Sequence, residues 1–358
     1  MLRFGVVGCG DVATRAYLPG LEALPERVEV VACFDPVAER AESAAAQFAG
    51  ARAYTTYDAF LGHEGGMDLV VNLTPAPLHR QVTGQALEAG YHVLSEKPIA
   101  ASLAEARELA DLAAERGRQL FCAPATMVTG RFRWIKQLVA EGRIGKPTVA
   151  LAQLANMGPA GWSGYTGDPR VFYGPGVGPL IDTGVYLIHV MTMLLGPAKR
   201  VQAMGGIAIP RREIQIERYQ GETVDVTTND VMLLQLDFGD NLFGHLLSSY
   251  AVPASQVPPF ELHGAEGSIV VKRESWFDGN GPIDLYTSGG GMQPDLPTPD
   301  PLPVSDILQS GLLHVVDCLD GNEVAVLTAT HATHVLEIML AAQGSAASGG
   351  AVELTTVF

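Results

Sequence analysis

The 358-residue chain reads as an α/β protein built from two differently patterned parts. Three features predict this. Residues 1–124 alternate short apolar runs with longer helical patterns, and a glycine-rich turn directly follows the first run. From Val201 to about Val271 the pattern changes to long β-like stretches separated by turn signals. Continuous apolar runs are strands buried on both faces, and parallel neighbours need helical crossovers, so the first part is a doubly wound parallel sheet. The second part, residues 125–358, carries an antiparallel sheet with one face on helices.

The elements follow in order. Arg3–Val7, Val28–Phe34, Asp68–Leu73, Tyr91–Leu94 and Gln119–Cys122 read as strands. Val12–Leu24, Val37–Phe48, Leu78–Ala89 and Leu103–Arg116 read as the helices between them. After Pro124, Arg131–Glu141 is a helix closed by Gly142, and Pro147–Leu154 starts a strand. Residues 157–179 form a Gly/Pro/aromatic loop before a helix at Leu180–Leu195. Strands follow at Asp230–Phe238, Leu242–Tyr250, Phe260–His263 and Ser268–Lys272, the first two joined by a hairpin at Gly239-Asp240-Asn241. Residues 288–303, with five prolines and three consecutive glycines, are expected to be a loop. Two helices, Val304–Leu319 and Leu327–Ala342, close the pattern and could return to the first domain.

Composition removes several function classes. With 23 basic and 39 acidic residues the formal charge is −16, which excludes a general nucleic-acid binder and disfavours docking on an anionic membrane. Hydrophobic residues at 47% against 17% charged are enough to bury a large core. Cys9, Cys33, Cys122 and Cys318 are too scattered for a redox pair or a zinc ribbon, so a reducing cytoplasm is expected. The apolar run at Phe4–Val7 is stopped at once by glycine, so no signal peptide is read there. Val185–Leu195 falls well short of the ~20 residues that span a bilayer.

Gly8-Cys9-Gly10-Asp11-Val12-Ala13 is a G-x-G-x-x-A element between the first strand and the first helix. Gly8 permits the tight turn, Gly10 lets a pyrophosphate approach backbone N–H groups, and Ala13 lets helix and strand pack closely. The helix start then offers Asp11, Val12 and unpaired donors to the phosphates. Asp35, ending the second strand, can accept both adenosine ribose hydroxyls and would repel a 2′-phosphate. NAD is therefore the expected cofactor, with NADP left open because Arg40 lies one helical turn further on.

Leu73-Thr74-Pro75-Ala76-Pro77-Leu78-His79 and Ser95-Glu96-Lys97-Pro98 end the third and fourth of these strands and should face the cofactor. With Asp182-Thr183-Gly184-Val185-Tyr186, Ile144-Gly145-Lys146-Pro147 and Leu262-His263-Gly264-Ala265-Glu266-Gly267, these motifs make the chain resemble the Gfo/Idh/MocA oxidoreductases over nearly its whole length. The resemblance implies a Rossmann domain (1–124) and a C-terminal α/β domain (125–358) whose large open, mostly antiparallel sheet often forms a homodimer or homotetramer interface. It implies an NAD(P)-dependent dehydrogenase or reductase acting on CH–OH groups of a sugar, polyol or related small molecule. Thr74, Pro75, His79, Glu96 and Lys97 are then expected at the cofactor, and Lys97, Asp182 and Tyr186 at the reacting carbon. Many relatives carry His where this chain has Tyr186, which resembles the Tyr-bearing subset.

The chemistry is consistent with that implication. Removing a hydride from a C–H bond requires removal of the neighbouring O–H proton, hence a positioned acid/base. Asp182 and Tyr186, four apart, share a helix face. The charge of Lys97 would lower the pKa of the substrate hydroxyl or of Tyr186, which ordinarily titrates near ~10. His189, three residues on, is the alternative proton carrier. Arg131, Trp162 and Tyr165, with Asp168, Arg170 and Tyr173 nearby, are candidate substrate contacts. His331 and His334 lack a third ligand, so no metal is expected. Two other readings stay open: an NAD-assisted glycoside hydrolase, and a dinucleotide-binding sensor without turnover.

Overall fold

A computed structural model describes residues 1–358. The chain forms two compact units, Met1–Val128 with Asp306–Leu336, and Thr129–Ser305 with Glu337–Phe358.

The first unit is built on a six-stranded parallel sheet of β1 (Leu2–Val7), β2 (Val28–Phe34), β3 (Arg52–Tyr54), β4 (Leu69–Asn72), β5 (His92–Ser95) and β6 (Leu120–Cys122), in the order β3-β2-β1-β4-β5-β6. Phe4, Val6, Val7, Val70, Val71 and Val93 are fully buried, which explains the unbroken apolar runs. The order reverses between β1 and β4, opening the crevice at the strand carboxyl ends where dinucleotides bind in this topology. β3 is not evident in the sequence, because three residues on a sheet edge carry no readable alternation.

The first helix runs from Asp11 to Glu22 and contains a five-residue π-helical turn, Ala13–Tyr17. The helix Leu103–Glu115 starts at a reciprocal capping box, in which Ser102 and Glu105 each accept the other's backbone N–H. The expected helix at Val304–Leu319 begins only at Gln309, because the Asp306 carboxylate caps the Leu308 and Gln309 N–H groups. That helix is tied to the first unit by Arg27, which pairs with Asp317 at 2.7 Å and Asp320 at 2.6 Å.

The second unit contains β7 (Pro147–Ala155), β8 (Arg200–Gly206), β9 (Arg211–Glu213), β10 (Thr223–Asp225), β11 (Val231–Gly239), β12 (Leu242–Ser249), β13 (Phe260–Gly264), β14 (Gly267–Val271), β15 (Ile283–Thr287), β16 (Gly291–Leu296) and β17 (Val352–Glu353). Nine of these form a sheet in the order β16-β15-β14-β13-β7-β12-β11-β8-β17, while β9 and β10 make a separate ribbon. All neighbours in the large sheet are antiparallel except β7 and β12, so it is mixed. The β11–β12 hairpin turns through Asp240 and Asn241, both at positive φ, as short-side-chain polar residues allow.

The expected loop at 288–303 is corrected in part, since β16 lies inside it. Its Pro294 is tolerated because β16 is the sheet edge, where a missing N–H costs no ladder bond. One sheet face buries Ala150, Leu234, Leu236, Leu246 and Leu262 against helices that include Val185–Leu195. Phe132, from the helix Gly130–Ala140, meets Phe260 of the same face at 6.0 Å between ring centroids. The opposite face leaves Leu151, Met204, Leu233, Phe243 and Tyr286 exposed.

Glu337 clasps the chain end. Its carboxylate accepts the backbone N–H and hydroxyl groups of both Thr355 and Thr356. Burial alone would raise its pKa, but these four donors outweigh it and hold the pKa below the ordinary value. A depressed carboxylate pKa stabilises above the unfolded value of ~4.3 and loses that contribution as the pH falls through the folded value. Glu337→Gln should therefore lower unfolding free energy at neutral pH by about 1–3 kcal/mol. In thermal melts across pH, the difference from the parent protein should close below pH ~4.

Candidate active site

Each unit contributes a group of the expected residues, and each is built by its own elements. In the first unit these residues cluster at the strand carboxyl ends. Gly8 follows β1 at φ +87°, and a Cβ there would stand 2.9 Å from the Leu73 carbonyl group, so only glycine fits. A Cβ on Gly10 would meet nothing within 4 Å. The turn thus presents the open backbone that a pyrophosphate needs, and the residues present fit a dinucleotide.

Asp35 spans the turn, with Oδ2 accepting the Cys9 N–H at 3.0 Å and Oδ1 accepting the Val37 N–H at 2.9 Å. Asp11 pairs with Arg15 one turn along at 3.2 Å, and Val12 leads into the π-helical turn. Thr74 bonds to Asn72 Oδ1 through both its N–H and its hydroxyl, and Pro75 leads into the 3₁₀ turn Ala76–Leu78.

His79 is buried and ties two strand-end segments together. Its Nδ1 lies 2.6 Å from Pro98 O and its Nε2 lies 2.7 Å from Thr74 O. Burial pushes its pKa down and those carbonyls pull it up, with a net lowering. Glu96, also buried, accepts the Tyr17 hydroxyl at 2.7 Å and the Lys97 N–H at 3.0 Å. The π-helical turn therefore supplies the hydroxyl that fixes Glu96, and the half-buried Lys97 follows from a held backbone.

In the second unit a cavity of about 320 Å³ is lined by Asn156, Asp182, Tyr186, Arg273, Trp276 and Phe277, among others. Asp182 and Tyr186 are brought together as the i, i+4 spacing implies, across the junction of a π-helical turn (Leu180–Gly184) with the helix Val185–Leu195. His189 is buried and is not part of the lining, whereas Tyr186 is. Another cavity, of about 300 Å³ and including Gly176, Ile207, Asn229 and Gln343, has no titratable group in its lining and offers no acid/base chemistry.

The other sequence candidates sit elsewhere. Arg131 is fully buried, and its guanidinium donates to Ser275 O, Ser275 Oγ and Trp276 O at 3.0 Å each. It holds the turn that carries the cavity wall instead of lining the cavity itself. Loss of its hydration lowers the Arg131 pKa to about 10. Trp162 and Tyr165 are also outside the lining: they stack tilted on each other, and Tyr165 packs on the cluster around Tyr173 and Tyr250.

Sequence reasoning missed Tyr250. At the end of β12 it donates its hydroxyl to Asp182 Oδ2 at 2.6 Å. Burial, then the Asp182 charge and hydrogen bond, push its pKa well above the ordinary tyrosine value, so it stays a donor. Its neighbour Tyr173 lies at 5.6 Å between ring centroids. Nothing local marks Tyr250, because its role depends on a partner 68 positions away.

Comparison with known proteins adds to this geometry. Residues 2–123 match the model described as an oxidoreductase family with an NAD-binding Rossmann fold (GFO_IDH_MocA), and residues 132–270 match the GFO/IDH/MocA C-terminal domain. A dTDP-3,4-didehydro-2,6-dideoxy-alpha-D-glucose 3-reductase of Streptomyces violaceoruber is 36% identical over 201 residues. That alignment covers 56% of this chain and 56% of the relative, so the chain spans little more than half of that relative's length. A 1,5-anhydro-D-fructose reductase of Ensifer adhaerens is 25% identical over 358 residues, 99% of either chain. The fold of levoglucosan dehydrogenase, solved with NADH and levoglucosan, superposes with a TM-score of 0.84 at 20% identity, covering 99% of this chain and 100% of that one.

Tyr250→Phe keeps the ring and removes the donor to Asp182. Unfolding free energy should fall by about 1.5–3 kcal/mol, the scale of a hydrogen bond to a charged group. Urea denaturation measures this, and Tyr173→Phe, which leaves Asp182 untouched, serves as the reference.

Proposed function

The chain belongs to the Gfo/Idh/MocA oxidoreductase family, and on that premise we propose that it moves a hydride between nicotinamide and a hydroxyl or carbonyl carbon of a sugar, polyol or related small molecule. The observation that carries this reading is the Asp182/Tyr186 pair, one helical turn apart on one cavity. The sugar reductases and the dehydrogenase among its relatives support the substrate class.

Bound NAD supplies the hydride acceptor. The Gly8–Gly10 turn holds its pyrophosphate, Asp35 takes the adenosine ribose, and Thr74, Pro75, His79 and Glu96 shape the strand ends around it. The Asp35 carboxylate would repel a 2′-phosphate, which favours NAD over NADP. Tyr186 carries the proton of the reacting hydroxyl, and Asp182, oriented by Tyr250, accepts a hydrogen bond from the substrate. Lys97 stabilises the developing alkoxide and lowers the pKa of the hydroxyl that gives rise to it.

The test is turnover of a panel of sugars and polyols with NAD and NADP, followed by cofactor absorbance. Cleavage of glycosides without net cofactor change would replace the dehydrogenase reading. Lys97→Ala should lower turnover by about a hundredfold or more, the scale of lost acid/base assistance, while NADH affinity measured by fluorescence changes only a few-fold.

The exposed sheet face is assigned to a second copy of the chain. Leu233 faces Leu247 and Phe243 faces Val149 across neighbouring strands, giving an apolar centre to this face on a protein of net charge −16. The four buried free thiols support a reducing cytoplasm. No helix is long and apolar enough to cross a membrane. Phe243→Asp should convert a homo-oligomer to monomer by light scattering without loss of secondary structure.

A further inference from the structure

Arg273 is the charged residue of the cavity that the reaction outlined above does not use. It lies beside Asn156, Asp182 and Tyr186 in the lining, on the short turn Arg273–Ser275 that follows β14. Its Nε is buried and makes no hydrogen bond, and Nη2 reaches only Val257 O, at a long 3.4 Å. It forms no ion pair, although the chain carries 39 carboxylate side chains.

Other arginines of the same unit spend their terminal nitrogens on close protein acceptors, although the Nε atoms of Arg131 and Arg212 are also buried without a hydrogen bond. Arg212 pairs with Asp230 at 2.6 Å and bonds to Tyr250 O, Arg200 pairs with Asp237, and Arg131 spends its guanidinium on Ser275 and Trp276. Arg131 thereby holds rigid the turn from which Arg273 projects. A half-buried guanidinium with open donors is costly, and a carboxylate or phosphate, which the planar fork matches in two parallel bonds, offsets that cost.

Resting on the carbohydrate reading above, we infer that the cavity takes an anionic carbohydrate, one bearing a carboxylate or a phosphate, with Arg273 as its anion-binding group. The charge distribution sets the direction of binding. The Asp182 carboxylate repels an anion and accepts a hydroxyl, so the reacting hydroxyl turns to Asp182 and Tyr186 while the anionic group turns to Arg273. Trp276 and the exposed Phe277 also line this cavity and add apolar surface to it.

Calorimetry on the NADH-loaded protein tests this with D-glucose against D-glucuronate and D-glucose 6-phosphate, D-galactose against D-galacturonate, and dTDP-glucose as the nucleotide-linked phosphate. At least one anion should bind about tenfold or more tightly than its neutral counterpart, as expected for charged hydrogen bonds. Arg273→Gln should bring that ratio near one, and Arg273→Lys should keep part of it. The arm that binds best distinguishes a sugar acid from a sugar phosphate or a nucleotide sugar.

Equal binding of neutral and anionic sugars, or a preference that survives Arg273→Gln, overturns the inference. Parallel cofactor assays separate the two readings. Cofactor-linked turnover of neutral sugars without anion preference removes the role of Arg273 and leaves the dehydrogenase. Anion binding that depends on Arg273 without cofactor turnover of any sugar does the reverse.

Discussion

A single buried ion pair organises the second unit around its chemistry. Asp230 is fully buried, and its carboxylate accepts the Ala208 and Ile209 N–H groups and Arg212 Nη2. Arg212 in turn donates to Tyr250 O at 2.7 Å, and the Tyr250 N–H donates to Asp230 O at 2.8 Å. The guanidinium also lies 5.5 Å from the Tyr173 ring centroid. Tyr250 is thus gripped through its backbone on both sides, and its hydroxyl is left to hold Asp182. Such a pair contributes little net stability once desolvation is counted, but removing one partner would strand a charge. Its role is positional: it sets where the carboxylate in the cavity points.

The same economy of partners runs through the first unit. The buried Glu96 is fixed by Tyr17 of the first helix, the buried His79 bonds to two strand-end segments, and Asp35 braces the glycine turn from the next strand. Lys97, Gly10 and the helix start at Asp11 therefore emerge from fixed backbone. Most of the polar side chains at these strand ends are spent on holding backbone in place.

Much of this was legible from the chain alone. The buried parallel strands announced themselves as apolar runs, and the helices between them showed both their period and their ends. The glycine turn was identifiable because its φ and clearance admit no side chain at Gly8. Less legible were features without a local signature. The strand β16 hides its pairing behind Pro294, which only an edge position tolerates. The π-helical turns at Ala13–Tyr17 and Leu180–Gly184 look like ordinary helix in sequence, since one extra residue in a turn barely alters the apolar pattern.

Sequence by itself determined the fold class and the family motifs, because these depend on periodicity and on residue type at short spacing. Tertiary structure decided which polar groups are occupied and which are open. Arg131 and Arg273 are indistinguishable as letters, yet three protein oxygens take up the terminal nitrogens of one and a single carbonyl at 3.4 Å meets those of the other. That difference arises from packing between segments more than a hundred positions apart, as with Arg131 and Ser275, and local pattern carries no record of it.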